Sequence, residues 1–114
     1  MAFLTLFSRK IYLTDYINRT EDKLTNLTRQ KLEMSDHISQ ITSQISDISN
    51  HESPSVKKLE ARLAELKQFD ARLDMEKQKL ETKLQAANTE MQSLSQSLNS
   101  SIQSSFTVNY GGGR

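Results

Sequence analysis

Residues 13–48, LTDYINRTEDKLTNLTRQKLEMSDHISQITSQISDI, carry apolar side chains at alternating steps of four and three residues. The positions in this rhythm are Leu13, Ile17, Thr20, Leu24, Leu27, Lys31, Met34, Ile38, Ile41, Ile45 and Ile48. Only Thr20 and Lys31 among them are not apolar. Steps that average about 3.5 residues place one narrow apolar seam along an α-helix, and such a seam needs a partner helix to cover it.

The same rhythm returns after a short polar break. Its positions are Val56, Leu59, Leu63, Leu66, Asp70, Leu73, Lys77, Leu80, Leu84, Ala87, Met91, Leu94 and Leu98. The break at residues 49–54 reads SNHESP, in which Ser53 can cap a helix and Pro54 suits its first position. So short a link favours antiparallel neighbours. The sequence therefore predicts an all-α fold, an antiparallel two-helix coiled-coil hairpin with a short turn near residues 49–54.

The predicted boundaries follow from the few helix breakers in the chain. We expect a single hairpin over residues 1–110, with helix one at about 3–49, a turn at 50–53 and helix two at about 54–105. Residues 106–114 form a short tail that ends in Gly-Gly-Gly-Arg. Phe106–Tyr110 alternates apolar and polar residues, which is compatible with a short edge strand, although such a segment is more often a helix end or a loose tail. A long parallel dimer broken at Pro54 is the alternative to the hairpin.

Folding the chain about its midpoint near Pro54 tests the register. The apolar positions then pair with one another: Ile48 with Leu59, Ile45 with Leu63, Ile41 with Leu66, Met34 with Leu73, Leu27 with Leu80, and Leu24 with Leu84. Lys31 falls opposite Lys77, with Asp74 and Glu81 near enough to neutralise them. Asp70 opposite Ile38 is the weak layer. This agreement between seam, polar layer and turn chemistry favours the hairpin.

Composition excludes several function classes. Charged residues make up 25% of the chain and balance to a net charge of +1, so neither nucleic acid nor an acidic membrane surface is favoured as a partner. The chain has no Cys and only two His, and no phosphate loop or hydrolytic triad is present. We predict no catalytic residues, no cofactor and no metal site, and hence a protein that is not an enzyme.

The open end of the predicted hairpin is poor in charge and rich in aromatic residues. From Met91 to Gly113 the sequence contains no charged residue, and the register places this segment against the chain start. Interface cores lose charge and gain aromatic residues, whereas frayed ends are the alternative interpretation. The predicted assembly interface comprises Phe3, Leu6, Phe7, Tyr12, Tyr16, Ile102, Phe106, Val108 and Tyr110.

In architecture and composition the chain resembles secreted bacterial filament subunits of the flagellin and type III filament kind. Those proteins also lack Cys, are rich in Ser, Thr, Asn and Gln, and pair an N-terminal with a C-terminal helix. The chain also resembles hairpin stalk proteins and chaperones of bacterial export systems. These resemblances imply a helical-hairpin subunit that self-assembles with other copies of itself into a secreted or surface filament, which would leave the cell by a route without a cleaved signal.

Two other functions stay open at this point. One is a cytoplasmic coiled-coil adaptor or export chaperone in bacteria that binds another helical protein. The other is a membrane-surface protein anchored by residues 1–13, although this segment carries too little basic charge for membrane contact to be favoured.

Overall fold

The protein is an all-α helical hairpin. A computed structural model describes the backbone of residues 2–111 and the side chains of residues 3–104. Within that range the chain forms two antiparallel helices, α1 (Ala2–Asp47) and α2 (Pro54–Gly111), joined by a short turn. The predicted fold class is confirmed.

The helix ends differ from the predicted ends in two places. Helix α1 ends at Asp47 rather than near residue 49. Helix α2 continues through residues 106–111 instead of ending near residue 105, so the segment that the sequence left open between a strand, a loose tail and a helix end is a helix end. The first glycine after Pro54 is Gly111, so no strong helix breaker interrupts α2 before that residue. Residues 112–114 of the predicted tail lie outside the described residues.

Side chains of the turn satisfy backbone groups that the helix ends leave free. The backbone N–H of Glu52 donates to Asn50 Oδ1 at 3.1 Å, and that of Val56 donates to Ser53 Oγ at 3.3 Å. Ser53 is thus the N-cap of α2, and Pro54 occupies the first helical position, where its missing N–H has no cost. Val56 is completely buried at the start of α2.

The chain divides into two compact units, each of which contains part of both helices. The turn unit is Lys23–Leu80, and the terminal unit consists of the described parts of Met1–Asp22 and Glu81–Arg114. In the turn unit the seam leucines Leu66, Leu73 and Leu80 are buried. The remaining apolar seam positions there are half-buried, apart from Val56: Leu24, Leu27, Met34, Ile38, Ile41, Ile45, Ile48, Leu59 and Leu63. A single partner helix covers a seam from one side only, so partial burial is expected.

The terminal unit has its own apolar core. Leu13, Ala87, Leu94 and Leu98 are buried together. Leu6, Tyr16, Ile17 and Met91 are partly buried and pack against that cluster. The polar seam residue Thr20 is also buried, and its hydroxyl donates to the backbone carbonyl of Tyr16 at 2.8 Å. This bond lets a hydroxyl lie in the seam without an unsatisfied donor.

A charged layer crosses the seam of the turn unit. Lys31 Nζ bonds to Asp74 Oδ1 and lies 3.7 Å from Asp70 Oδ1. The hydrogen bond to Asp74, together with the negative charge of Asp70, raises the pKa of Lys31 above its usual range. Asp70 therefore contributes to the polar layer instead of weakening the position opposite Ile38. No helix of the described chain is long and apolar enough to cross a membrane.

Burial of the seam predicts how strongly single leucines stabilise the hairpin. Leu73 is 7% exposed and Leu32 on α1 is 65% exposed. We expect Leu73→Ala to lower the free energy of unfolding by roughly 2–5 kcal/mol, because it removes buried methyl groups and leaves a cavity. Leu32→Ala, the matched control, should change it by less than about 0.5 kcal/mol. Urea unfolding followed by circular dichroism measures both free energies. If the two variants lost equal stability, the assignment of Leu73 to a buried seam would be contradicted.

The cap of α2 gives a second prediction. Ser53→Ala removes the acceptor of the Val56 N–H, so we expect a loss of about 1 kcal/mol in the free energy of unfolding. Ser49→Ala changes an exposed serine of the same turn and serves as the control. If both variants unfold at the same urea concentration as the original chain, the capping bond does not stabilise the helix.

The charged layer predicts a dependence of stability on alkaline pH. Because the pKa of Lys31 is raised in the folded state, its stabilisation is complete below the unfolded value of 10.5 and is lost as pH rises through the folded pKa. Lys31→Gln should therefore be less stable than the original chain at pH 7, and this difference should shrink in strongly alkaline buffer. Lys79→Gln, at an exposed position, should show little difference at either pH. A difference for Lys31→Gln that stays constant with pH would contradict the role of this charge.

Candidate interaction surface of the terminal unit

Large apolar side chains of α1 are exposed along one face of the terminal unit. Phe3 and Phe7 are 40% and 47% exposed, and their rings stack with centroids 6.0 Å apart and an interplanar angle of 14°. Leu4 and Ile11 are 62% and 58% exposed. Leu4, Phe7 and Ile11 follow one another by three and four residues, so they share one face of the helix, which we call the outer stripe. Contiguous apolar exposure of this kind marks interaction sites.

A shallow groove runs along the outer stripe. It is lined by Phe7, Lys10, Ile11, Thr14, Asp15 and Asn18. Asp15 at its edge accepts a hydrogen bond from Arg19 Nε at 2.8 Å, and this bond holds the pKa of the Asp15 carboxyl below its usual value. The groove therefore has two large apolar side chains, Phe7 and Ile11, and its acidic residue is already paired.

A second face of α1 carries tyrosines and an ion pair to α2. The rings of Tyr12 and Tyr16 stack with centroids 6.4 Å apart, and the Arg9 guanidinium lies 5.1 Å from the centre of the Tyr12 ring. Arg9 Nη2 also lies 2.7 Å from Glu90 Oε1. The groove here is lined by Arg9, Tyr12, Leu13, Tyr16, Lys83, Ala86, Ala87 and Glu90. Both charged side chains are more than two-fifths exposed, so the pair contributes more to the position of Tyr12 than to stability.

The residues that the sequence assigned to an assembly interface lie in different environments. Phe3, Phe7, Tyr12 and Ile102 are exposed. Leu6 and Tyr16 pack against the core of the terminal unit, because Leu6 lies one heptad before the seam residue Leu13. The side chains of Phe106, Val108 and Tyr110 lie outside the described residues.

Two exposed residues were missed by the sequence analysis of this surface. Leu4 and Ile11 are more exposed than either phenylalanine. Their spacing from Phe7 was the available signal, since three apolar residues at helical spacing outside the seam indicate a second apolar face. The predicted interface was assembled from residues near the open end of the hairpin without regard to helical phase, and this obscured that face.

The chemistry of this surface is that of binding through apolar contact. Among the residues whose side chains the structure describes, no group of three or more His, Cys, Asp or Glu is placed to hold a metal ion. What the outer stripe offers a partner is apolar area on a helix whose neighbouring face is fixed by Leu13 in the core. Such a surface binds by removing apolar area from water.

Comparison with known protein families gives a match that covers most of the chain. Residues 5–110 match the NDC80 loop family, described as the loop region of the kinetochore protein NDC80. The matched range includes most of both helices and the whole turn, so what the description calls a loop is a helical hairpin in this chain. Neither the comparison with curated proteins nor that with solved structures gave a match.

The family match overturns the function predicted from the sequence. The hypothesis of a secreted, self-assembling filament subunit is wrong, and the adaptor or export-chaperone alternative is also not supported. Heptad spacing and a low-charge end describe an architecture that unrelated proteins share, so they carried no information on cellular role. With residues 5–110 of its 114 matched, the chain belongs to the family of the kinetochore protein NDC80 loop region.

Proposed function

We propose that this hairpin is a non-catalytic structural element of the kinetochore that binds another kinetochore protein through the exposed apolar residues of its terminal unit. The observation that carries the proposal is the family match over residues 5–110. A kinetochore is a multiprotein assembly, and proteins of the NDC80 family form heteromeric coiled-coil complexes with other kinetochore proteins. The partner is accordingly a different protein rather than a second copy of this chain.

The exposed side chains of the terminal unit support a protein partner. Phe3, Phe7 and Tyr12 expose between 40% and 55% of their surface. Aromatic residues dominate the energetics of protein interfaces because they bury large areas with few rotatable bonds. Since the terminal unit already has a core of its own, these side chains are not needed to complete it.

The charge distribution favours protein over nucleic acid as the partner. The chain carries 15 basic and 14 acidic residues. Several basic side chains are paired with acidic ones, as in Arg9–Glu90, Arg19–Asp15 and Arg62–Glu65. DNA binding requires a concentrated basic stripe that displaces counterions from phosphates. The paired charges do not form one, so binding to centromeric DNA is not part of the proposal.

The location of the protein in dividing cells tests the proposal. We expect the full chain, fused to a fluorescent protein, to form foci that coincide with a centromere marker during mitosis. Leu24→Pro breaks α1 in its interior and should disperse the foci, because proline removes a helix hydrogen bond and clashes with the preceding turn. Leu32→Ala, at an exposed position, is the control and should leave them unchanged. Foci at another structure, or diffuse fluorescence of the original chain, would contradict a role in the kinetochore.

A further inference from the structure

We infer that the outer stripe docks one α-helix of a partner protein, whose apolar residues repeat at steps of three and four and which places an acidic residue beside Lys10. The inference rests on the proposed function for the class of partner, a kinetochore protein. It goes further in naming the face of α1, the secondary structure of the partner and the charge that the partner brings.

The spacing of the stripe identifies the occupant as a helix. The outer stripe continues beyond Ile11 at the same steps of three and four residues, and its next two positions are Thr14 and Asn18. These steps are those of the seam, but the stripe lies on a neighbouring face of α1. All five are exposed and none is charged. At about 1.5 Å per residue they extend along about 21 Å of helix, which corresponds to roughly four turns of a partner. A second heptad seam on one helix is the geometry that accommodates a third helix.

The hydroxyl of Thr14 would keep its hydrogen-bond partner if a helix covered the stripe. The Thr14 hydroxyl donates to the backbone carbonyl of Lys10 at 2.8 Å. A hydroxyl bonded within its own helix can be covered without the penalty for an orphaned donor. A docked helix can therefore remove the apolar area of the stripe from water while Thr14 keeps its hydrogen bond.

The stripe is confined to the terminal unit. The next position in its spacing is the charged residue Glu21, which ends the uncharged run. In the turn unit the corresponding positions of α1 carry only one large apolar residue: Thr25, Thr28, Leu32, Ser35, Ser39, Thr42 and Ser46. These small side chains offer little apolar area to a partner. Docking energy accordingly comes from Leu4, Phe7 and Ile11.

Charge at the two edges of the groove sets the chemistry of the partner. The carboxylate of Asp15 already accepts a hydrogen bond from Arg19. Lys10 lines the opposite part of the groove, and within the described part of the chain it makes no ion pair. An acidic residue on the partner would complement Lys10 and would set the register of the docked helix.

A protein helix fits this surface better than a lipid bilayer. Helices that lie on membranes present a wide apolar face flanked by several basic residues. Here Arg9 is paired with Glu90 and Arg19 with Asp15, so among the described residues Lys10 is the one basic side chain that lines the groove. The stripe is also narrow, as a helix–helix contact requires.

Photo-crosslinking in dividing cells tests the inference directly. The probe is p-benzoylphenylalanine in place of Ile11 in the full chain, and the control is the same probe in place of the exposed Gln92 on α2. Mass spectrometry identifies the crosslinked peptide. We expect position 11, but not position 92, to crosslink to a kinetochore protein at a segment with apolar residues at steps of three and four and an acidic residue among them. Equal crosslinking at both positions, a segment without that pattern, or a second copy of this chain would overturn the inference.

A synthetic peptide of the crosslinked segment then tests the contacts one by one. Phe7→Asp and Ile11→Asp should each raise the Kd by about tenfold or more, because a charge replaces a central apolar contact. Leu32→Asp should leave the Kd unchanged, and circular dichroism verifies that each variant keeps its helix content. Lys10→Glu should weaken binding, and replacing the facing acidic residue of the peptide by Lys should restore it. Unchanged binding by Phe7→Asp, or no restoration, would overturn the docking geometry.

Two readouts separate this inference from its alternatives. Sedimentation with vesicles of phosphatidylcholine and phosphatidylserine should leave the chain in solution, and vesicle binding abolished by Phe7→Asp would identify a membrane surface instead. If the tagged Phe7→Asp variant still reaches kinetochores with the full intensity of the original chain, the stripe is not the docking site while the proposed function stands. If the original chain does not reach kinetochores, the proposed function fails.

Discussion

The structure depends on one constraint, that an apolar seam of heptad spacing must be covered by another helix. Neither α1 nor α2 has enough apolar area to be stable alone in water, so each is stabilised by the other. Leucines on α2 such as Leu66, Leu80 and Leu94 are buried, whereas most seam residues of α1 are only half-buried. Because a two-helix arrangement covers one side of each helix, it leaves other faces of α1 free to present side chains to a partner.

Polar groups within the seam restrict how the two helices can align. Lys31 reaches Asp74 and Asp70, and a slip of one heptad would separate these charges. Thr20 satisfies its hydroxyl within its own helix and so is tolerated where it is buried. Interruptions of an apolar seam thus contribute to register specificity as well as reducing apolar burial. The cap formed by Ser53 also restricts the alignment of the helices, because it fixes the residue at which α2 begins.

The surface that the fold leaves exposed is as informative as its core. Phe7 and Ile11 lie outside the seam on a helix whose inner face is already packed, so their exposure has no explanation in the stability of the hairpin. The family match supplies what the geometry alone does not, a relation to a kinetochore protein. The fold and the family were thus established by separate observations, as expected when one architecture serves many roles.

The sequence by itself determined the two helices, the turn that joins them and the seam residues that pack between them. Heptad spacing, the cap at Ser53 and the proline at Pro54 determine these features because they act over a few residues. It did not determine which aromatic residues are available to a partner. Tyr16 and Phe7 look alike in composition, but Tyr16 packs on the core and Phe7 does not. Nor did it place Asp70 with Lys31, since the register put Asp70 opposite Ile38 and the reach of the lysine decides the contact. Only the tertiary structure decided these points, because burial and ion pairing depend on what the opposite helix presents across the seam.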